Sequence, residues 1–397
     1  MTHKGFASAI LARYNLAALL FALSLERTVM TRPLACFVAS LIFIGTFGLS
    51  SQAQTSEPTE TSETDSFFKA SIATSAKKTR IIRLTAHLTT INKSSIPVNK
   101  YIYRLTIPPN TESQYSVLES STTPVAAIKD HKNGCNQYAE FHFPVEPQSD
   151  HKIDVSFLVL LRPVDYLKVK SVDHEKVDSE GMARWLEPSK LIETDSKEVA
   201  LAAMEAFAKV GENQSKESVA KVAYKYPRSK LKYKLQKASL GAKKVLTTGV
   251  GDCTDFTCLF AALCRTKEIP ARKIAVFNFG KNTSIKKNVP NHHIEECYLD
   301  THGWIPVDPT LGKGKFNRPV GFGKLSNYFV IINREGAWVW QTKMPKSGYD
   351  RSKPKPKMDY TISWDGEVVN EGNTGEVMSV YSDMINKVAK DSAGSNE

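Results

Sequence analysis

The sequence predicts an α+β protein: a β-sandwich followed by helices packed on an antiparallel sheet. Three observations predict it. Between residues 66 and 165, β-branched and aromatic runs are cut by Pro, Asn and Gly clusters. From residue 196 to 265 the apolar positions switch to helical spacing. Past residue 273 the strand pattern returns, with turn residues between the runs.

In the first region, residues 81–88, 101–107, 138–143 and 153–159 read as strands. Tyr138, Glu140 and His142 share one face of theirs, and Ala139, Phe141 and Phe143 the other, the period of a half-buried strand. Residues 166–184 are charged and weakly patterned, a linker. Helices are predicted at 196–211, at 216–225 with Tyr226-Pro227 as the break, and at 240–246. Another begins at Cys253, where Phe256, Leu259, Phe260 and Leu263 form one buried stripe, and Ile269-Pro270 closes the run. Residues 273–277 read as a strand and 280–291 as a loop. Residues 291–299 and 304–310 read as two strands around a turn at 300–303. A hairpin is expected from 328–332 and 337–340. The second domain therefore spans 185–341. Residues 342–397 read as a Lys/Pro-rich tether and C-terminal extension, with two short strands within 360–369 and fraying from Asp383.

Residues 1–53 read as a targeting segment: a basic start at Met30-Thr-Arg-Pro, an apolar run over 34–49, and a small-x-small site at Ser51-Gln52-Ala53. Export to the periplasm or beyond is expected, with cleavage near Ala53. An uncleaved anchor is the rival, although the run is shorter than the roughly 20 residues of a span. Residues 54–65 form a polar spacer. Without Cys36, five of the six cysteines remain, irregularly spaced, so at least one free thiol is expected. The net charge of +12 is spread along the chain. Only 230–237 and 353–357 concentrate it, without aromatic interleaving, so no nucleic acid and no stable membrane partner is expected. No acidic calcium loop is present. A zinc set of Cys253, Cys258, His292 and His293 lacks paired-cysteine spacing. Neither metal nor other cofactor is expected.

The stretch Thr248-Gly249-Val250-Gly251-Asp252-Cys253 places a cysteine at the first turn of a buried helix. Unpaired N–H groups and the positive end of the helix dipole favour a thiolate there. A nucleophilic thiol needs a base, and the base an orienting acceptor. His292 and His293 lie on the strand that follows and Asp308 on the next. Alternation puts the two histidines on opposite faces, so only one can meet Cys253. A two-residue turn at Thr301-His302 would set Asp308 opposite Glu295. Pairing with His292 therefore requires a diagonal contact or a longer loop.

Gly-x-Cys at a helix start, then His on a strand, then Gly-Trp-x-Pro-Val-Asp-Pro-Thr resembles the transglutaminase-like superfamily. The resemblance is carried by Gly251-Asp-Cys253-Thr-Asp-Phe256, Ala262-Leu-Cys-Arg265 with Ile269-Pro-Ala-Arg272, His292 with Glu296-x-Tyr298, and Gly303-Trp-x-Pro-Val-Asp308-Pro-Thr310. It covers roughly 185–335 and implies a papain-like core; the region before it resembles the family's N-terminal β module. Carried over by motif, Cys253 is the nucleophile, His292 the base and Asp308 its partner. Where members commonly have an aromatic residue two after the histidine, this chain has Ile294. Tyr233, twenty residues before Cys253, stands where some members carry a donating aromatic side chain, an oxyanion candidate. The resemblance implies a thioester formed from a protein or peptide amide and resolved by an amine or by water. The substrate is then a glutamine or other amide side chain, or a peptide bond, with cell-wall peptides among the candidates. The alternative is a non-catalytic binding or scaffold protein on the same fold. Cys258, Cys264 and Cys297 read as small buried hydrophobes.

Overall fold

A computed structural model describes residues 78–132, 134–168, 179–211, 214–310 and 321–394. The targeting segment and the spacer expected from the sequence lie outside the described residues, as does most of the expected linker. No described helix is long and apolar enough to cross a membrane.

Strands β1 (Thr79–Asn92), β2 (Val98–Ile107), β3 (Gln114–Ser121), β4 (Val125–Asp130), β5 (Gln137–Val145), β6 (Asp150–Leu161) and β7 (Val164–Asp165) open the chain. Helices α1 (Ser179–Ala183), α2 (Lys197–Phe207) and α3 (Lys216–Lys230) follow. Then come β8 (Lys232–Tyr233), α4 (Gly241–Thr248), β9 (Val250–Gly251) and α5 (Cys253–Arg265). The remainder is β10 (Ala271–Asn278), β11 (Ser284–Lys287), β12 (His292–Leu299), β13 (Gly303–Val307), β14 (Lys324–Leu325), β15 (Phe329–Arg334), β16 (Trp340–Lys343), β17 (Met358–Gly372) and α6 (Thr374–Gly394).

The sandwich has one sheet ordered β11-β17-β1-β6-β3 and another ordered β16-β2-β5-β4. Ile82, Leu84, Ala86 and Leu88 alternate into its core against Tyr103, Phe141 and Phe157. Three elements of this sandwich come from far along the chain. β17 pairs with β1 over its whole length, from Asn92 opposite Met358 to Thr79 opposite Gly372, and Trp364 is buried opposite Ala86. The two short strands expected over 360–369 are thus one long strand. Its Asp, Gly, Glu and Asn residues depress local β-propensity, and its pairing with β1 overrides that. α6 covers the outer face of the same sheet through Val377, Tyr381, Ile385 and Val388, which meet Ile81, Leu158 and Leu160. The expected fraying from Asp383 is therefore replaced by helix through Gly394, because these positions repeat at helical spacing.

Three further expectations are corrected. Residues 328–332 and 337–340 do not form a hairpin: β15 pairs with β10 and β16 with β2, so the chain crosses here into the sandwich. The loop expected at 280–291 contains β11, an edge strand on β17. Pro227 also does not end its helix at 225. α3 continues to Lys230, with the Leu231 N–H donating to the Pro227 carbonyl (2.9 Å). Proline removes only its own N–H bond, and the last turn closes behind it.

The second region packs α2, α3 and α4 around α5, which lies on the antiparallel sheet β13-β12-β10-β15. Every residue of α5 from Thr254 to Arg265 is buried. Its aromatic and aliphatic side chains contribute about 1.5–3 kcal/mol each by leaving water. Arg265 locks the far end: its guanidinium donates to the Ala271 and Glu187 carbonyls (2.6 Å each) and to the Glu335 carboxylate (2.7 Å). The other face of the sheet buries Ile274, Ile294 and Phe329.

Candidate active site

Asp252 caps α5. Its carboxylate accepts the Thr254 and Asp255 N–H groups, and the Asp255 carboxylate accepts the Asp252 N–H, a capping box. The Asp255 carboxylate also accepts the Leu240 (2.7 Å) and Gly241 (3.0 Å) N–H groups, tying the start of α4 to the start of α5. Gly251 is required by contact: a Cβ there would lie 2.7 Å from the Asp255 Cβ. These constraints hold Cys253 at the first helical position. It is partly exposed, whereas Cys258, Cys264 and Cys297 are buried. Burial pushes those three thiols up, which keeps them inert.

β12 begins at His292. Its Nε2 lies 2.5 Å from the Asp308 Oδ2, and the other Asp308 oxygen accepts the Thr310 N–H (2.8 Å). Asp308 is fully buried and His292 is 8% exposed. His292 is also hydrogen-bonded to Cys253. With Nε2 on the carboxylate, Nδ1 is the nitrogen left for the sulfur. Burial alone would lower the imidazole pKa. The Asp308 charge, its hydrogen bond and the Cys253 sulfur outweigh that and raise it to about 10. The imidazolium is the favoured form at neutral pH.

The register explains how Asp308 reaches His292. β12 and β13 pair Leu299 with Gly303 and Glu295 with Val307, so three residues, 300–302, form the turn. Gly303 at φ +67° supplies the left-handed conformation that follows such a turn. Asp308 therefore falls past Val307 and meets His292 diagonally, two positions along from direct opposition.

His293 goes elsewhere. Its Nδ1 lies 3.0 Å from the Thr254 Oγ1. The tip of α5 thus meets both histidines, Cys253 with His292 on one side and Thr254 with His293 on the other. Burial, then the charges of Lys273 and His292, push His293 down to about 3, so it is neutral. Tyr233 pairs with Gly251 in the short parallel pair β8–β9 and lies against Phe256 at 6.2 Å between ring centres. It is 54% exposed. Partial burial, then the charges of Cys253, Asp252 and Asp308, raise its pKa and keep the phenol a donor. Among the described residues no group of three or more His, Cys, Asp or Glu side chains forms a metal-binding cluster.

The sequence offered an Arg272–Glu296 pair as one of two readings of those residues, and the structure has it. Sequence reasoning missed the Thr254–His293 contact and the rest of the polar layer beneath it. Arg272 donates to Glu296 (2.8 Å), which Arg334 also bonds (3.2 Å), and its guanidinium stacks 3.8 Å from the Trp304 ring. Glu295 is fully buried without a hydrogen-bond partner, and burial and the Glu335 charge push its carboxyl well above the usual range. Charged residues inside otherwise apolar strands, Arg272-Lys273 and Glu295-Glu296, were the available signal.

No curated protein matches the chain. Solved structures similar to it include the following two. One, from Cytophaga hutchinsonii and described as "a putative cysteine protease", is 18% identical over 74% of this chain and 91% of that one, with a TM-score of 0.49. The other, from Parabacteroides distasonis and described as "a putative protease", is 11% identical over 55% of this chain and 42% of that one, with a TM-score of 0.24. Residues 205–309 match the family model of the transglutaminase-like superfamily. That span contains Cys253, His292 and Asp308, and residues 205–309 are a transglutaminase-like domain.

Proposed function

We propose that the protein is a cysteine acyltransferase or amidase acting on a protein or peptide amide. The observation that carries this reading is the buried alignment of Asp308, His292 and Cys253 at the tip of α5. The Cys253 sulfur, its proton held on His292 Nδ1, attacks the amide carbonyl carbon. The C–N bond breaks and His292 gives the proton to the departing amine or ammonia. The acyl group stays on sulfur as a thioester. Water or a second amine then attacks, His292 takes its proton, and the sulfur leaves with that charge restored to the ion pair. Asp308 holds the ring angle and the proton on Nε2 throughout.

The tetrahedral oxyanion needs donors aimed at it before the reaction starts. The backbone N–H of Cys253, at the first helical position, has no intrahelical acceptor. The Tyr233 hydroxyl is the side-chain candidate, supported by its register opposite Gly251.

The test sets incorporation of a labelled amine into a glutamine-containing protein beside hydrolysis of a peptide library, with Cys253→Ala as control. Turnover in either assay, abolished in the control, is the expected result and separates transfer from hydrolysis. Silence in both would sink the reading and leave the binding-scaffold alternative. Export is part of the proposal, and an N-terminus near residue 54 in the mature protein would support it.

A further inference from the structure

A cavity of about 420 Å³ opens on the face of β12 that carries His293, the face away from His292 and Asp308. Its floor is β10 and β12, where Ala275 pairs with His293 and Lys273 with Glu295. Val289, Pro290, Val339 and Trp340 form apolar walls, and Val289 is 58% exposed at the mouth. The Thr254–His293 contact joins this cavity to the tip of α5, one residue along the chain from both Cys253 and His292. Its volume is in the range of small-ligand sites.

Lys273 is half-buried in this cavity, and among the described residues its ammonium makes no ion pair. The acidic side chains around it are committed elsewhere. Glu335 lines the same cavity, and its carboxylate accepts the Lys273 backbone N–H (3.2 Å) and is held by Arg265 (2.7 Å) and Ser189 (2.8 Å); Glu296 is held by Arg272 and Arg334. Glu295 is buried, and its neutral form is favoured. His293 is neutral, so it does not compete for an anion. A half-desolvated cation without a partner is costly, and an anionic ligand offsets that cost. Lys232 and Lys234 are exposed on either side of Tyr233, and Lys232 and Tyr233 pair with Val250 and Gly251 just before Cys253, a basic patch that draws acidic chains toward the thiol.

We propose that this cavity is an acid-selecting subsite, which seats a carboxylate-bearing residue of the substrate against Lys273 Nζ and its apolar stem between Val289, Pro290 and Trp340. The assignment rests on the peptide-substrate reading of the site. The carboxylate comes either from an acidic side chain or from a free peptide C-terminus.

Binding to the full-length Cys253→Ala protein separates these without requiring turnover. Three peptides of equal length are titrated by calorimetry: one with an internal glutamate and an amidated C-terminus, one with glutamine in its place, and one with glutamine and a free C-terminus. At least one carboxylate peptide is expected to bind about tenfold tighter than the capped glutamine peptide, as a charge-assisted hydrogen bond implies. Which one does so names the source. Adding Lys273→Met is expected to erase that advantage, while Lys273→Arg retains part of it. Thermal melts of the variants check that the fold persists. Equal binding of all three peptides, no binding of any, or a preference that survives Lys273→Met would overturn the subsite. If the preference holds but the wild-type enzyme turns nothing over, the catalytic reading fails and the subsite stands. Turnover without preference has the opposite meaning.

Discussion

At the scale of single residues, the account turns on His292. Its pKa lies near 10 in the fold and near 6.5 when the chain is unfolded. The folded state therefore binds the proton more tightly. The stability His292 contributes is complete below about pH 6.5 and is lost as pH rises through about 10. Asp308→Asn should move the imidazole titration, followed by NMR, back toward its ordinary value and cut kcat by about 10²–10⁴, with a smaller change in KM. An unchanged titration would mean that Asp308 does not set the charge on His292. Glu295 offers a contrast. Its carboxyl is raised, so keeping it neutral costs stability progressively as pH rises above the usual carboxylate range. Glu295→Gln should raise Tm at pH 8 and change it little at pH 4.5. That Cys253, His292 and Asp308 come together in the fold was legible because each sits in a short, residue-specific pattern. The choice between His292 and His293 was not legible from alternation alone, because the tip of α5 meets one histidine on each side.

Among the elements, α5 carries the site. Its helical stripe, its glycine approach and its apolar burial were all readable from local spacing. Leu259→Ala should lower stability by about 2–5 kcal/mol, measured by denaturant unfolding, because the whole helix is enclosed. Gly251→Ala drives a methyl into the Asp255 Cβ and should cost about 1–3 kcal/mol. It should also lower activity in the folded fraction, because Cys253 follows two residues later. The register of β12 on β13 was not legible. One extra residue in the 300–302 turn decides where Asp308 falls, and turn length is set by Gly303 and the Leu299–His302 contact (3.0 Å), not by strand periodicity.

Across the whole molecule, the sandwich closes only when the chain returns to it. β17 flanks the central strand β1, and β16 extends the facing sheet beside β2. The four early strands at 81–159 were legible because alternation is local. β11 was not, and β17 was legible only in part, as two short strands within 360–369, because their stability comes from partners distant in sequence and their own residues are weak strand formers. Phe277, Phe279, Val330 and Ile332 pack into the sandwich core together with Trp364, so the sheet beneath α5 is braced by the same strands. A chain truncated after residue 357 loses β17 and α6 and exposes one edge and the outer face of β1. It is expected to be insoluble, or to lose its strand signal by circular dichroism. A truncated chain that melts cooperatively near the full-length temperature would contradict this view of the sandwich.

The most direct test of the central claim is the rate at which iodoacetamide alkylates Cys253 at pH 6, located by peptide mapping, in the wild type and in His292→Ala. The account predicts fast, single-site labelling in the wild type and a drop of at least about tenfold in the variant, since the imidazolium stabilises the attacking sulfur anion. Equal rates in the two proteins would contradict it.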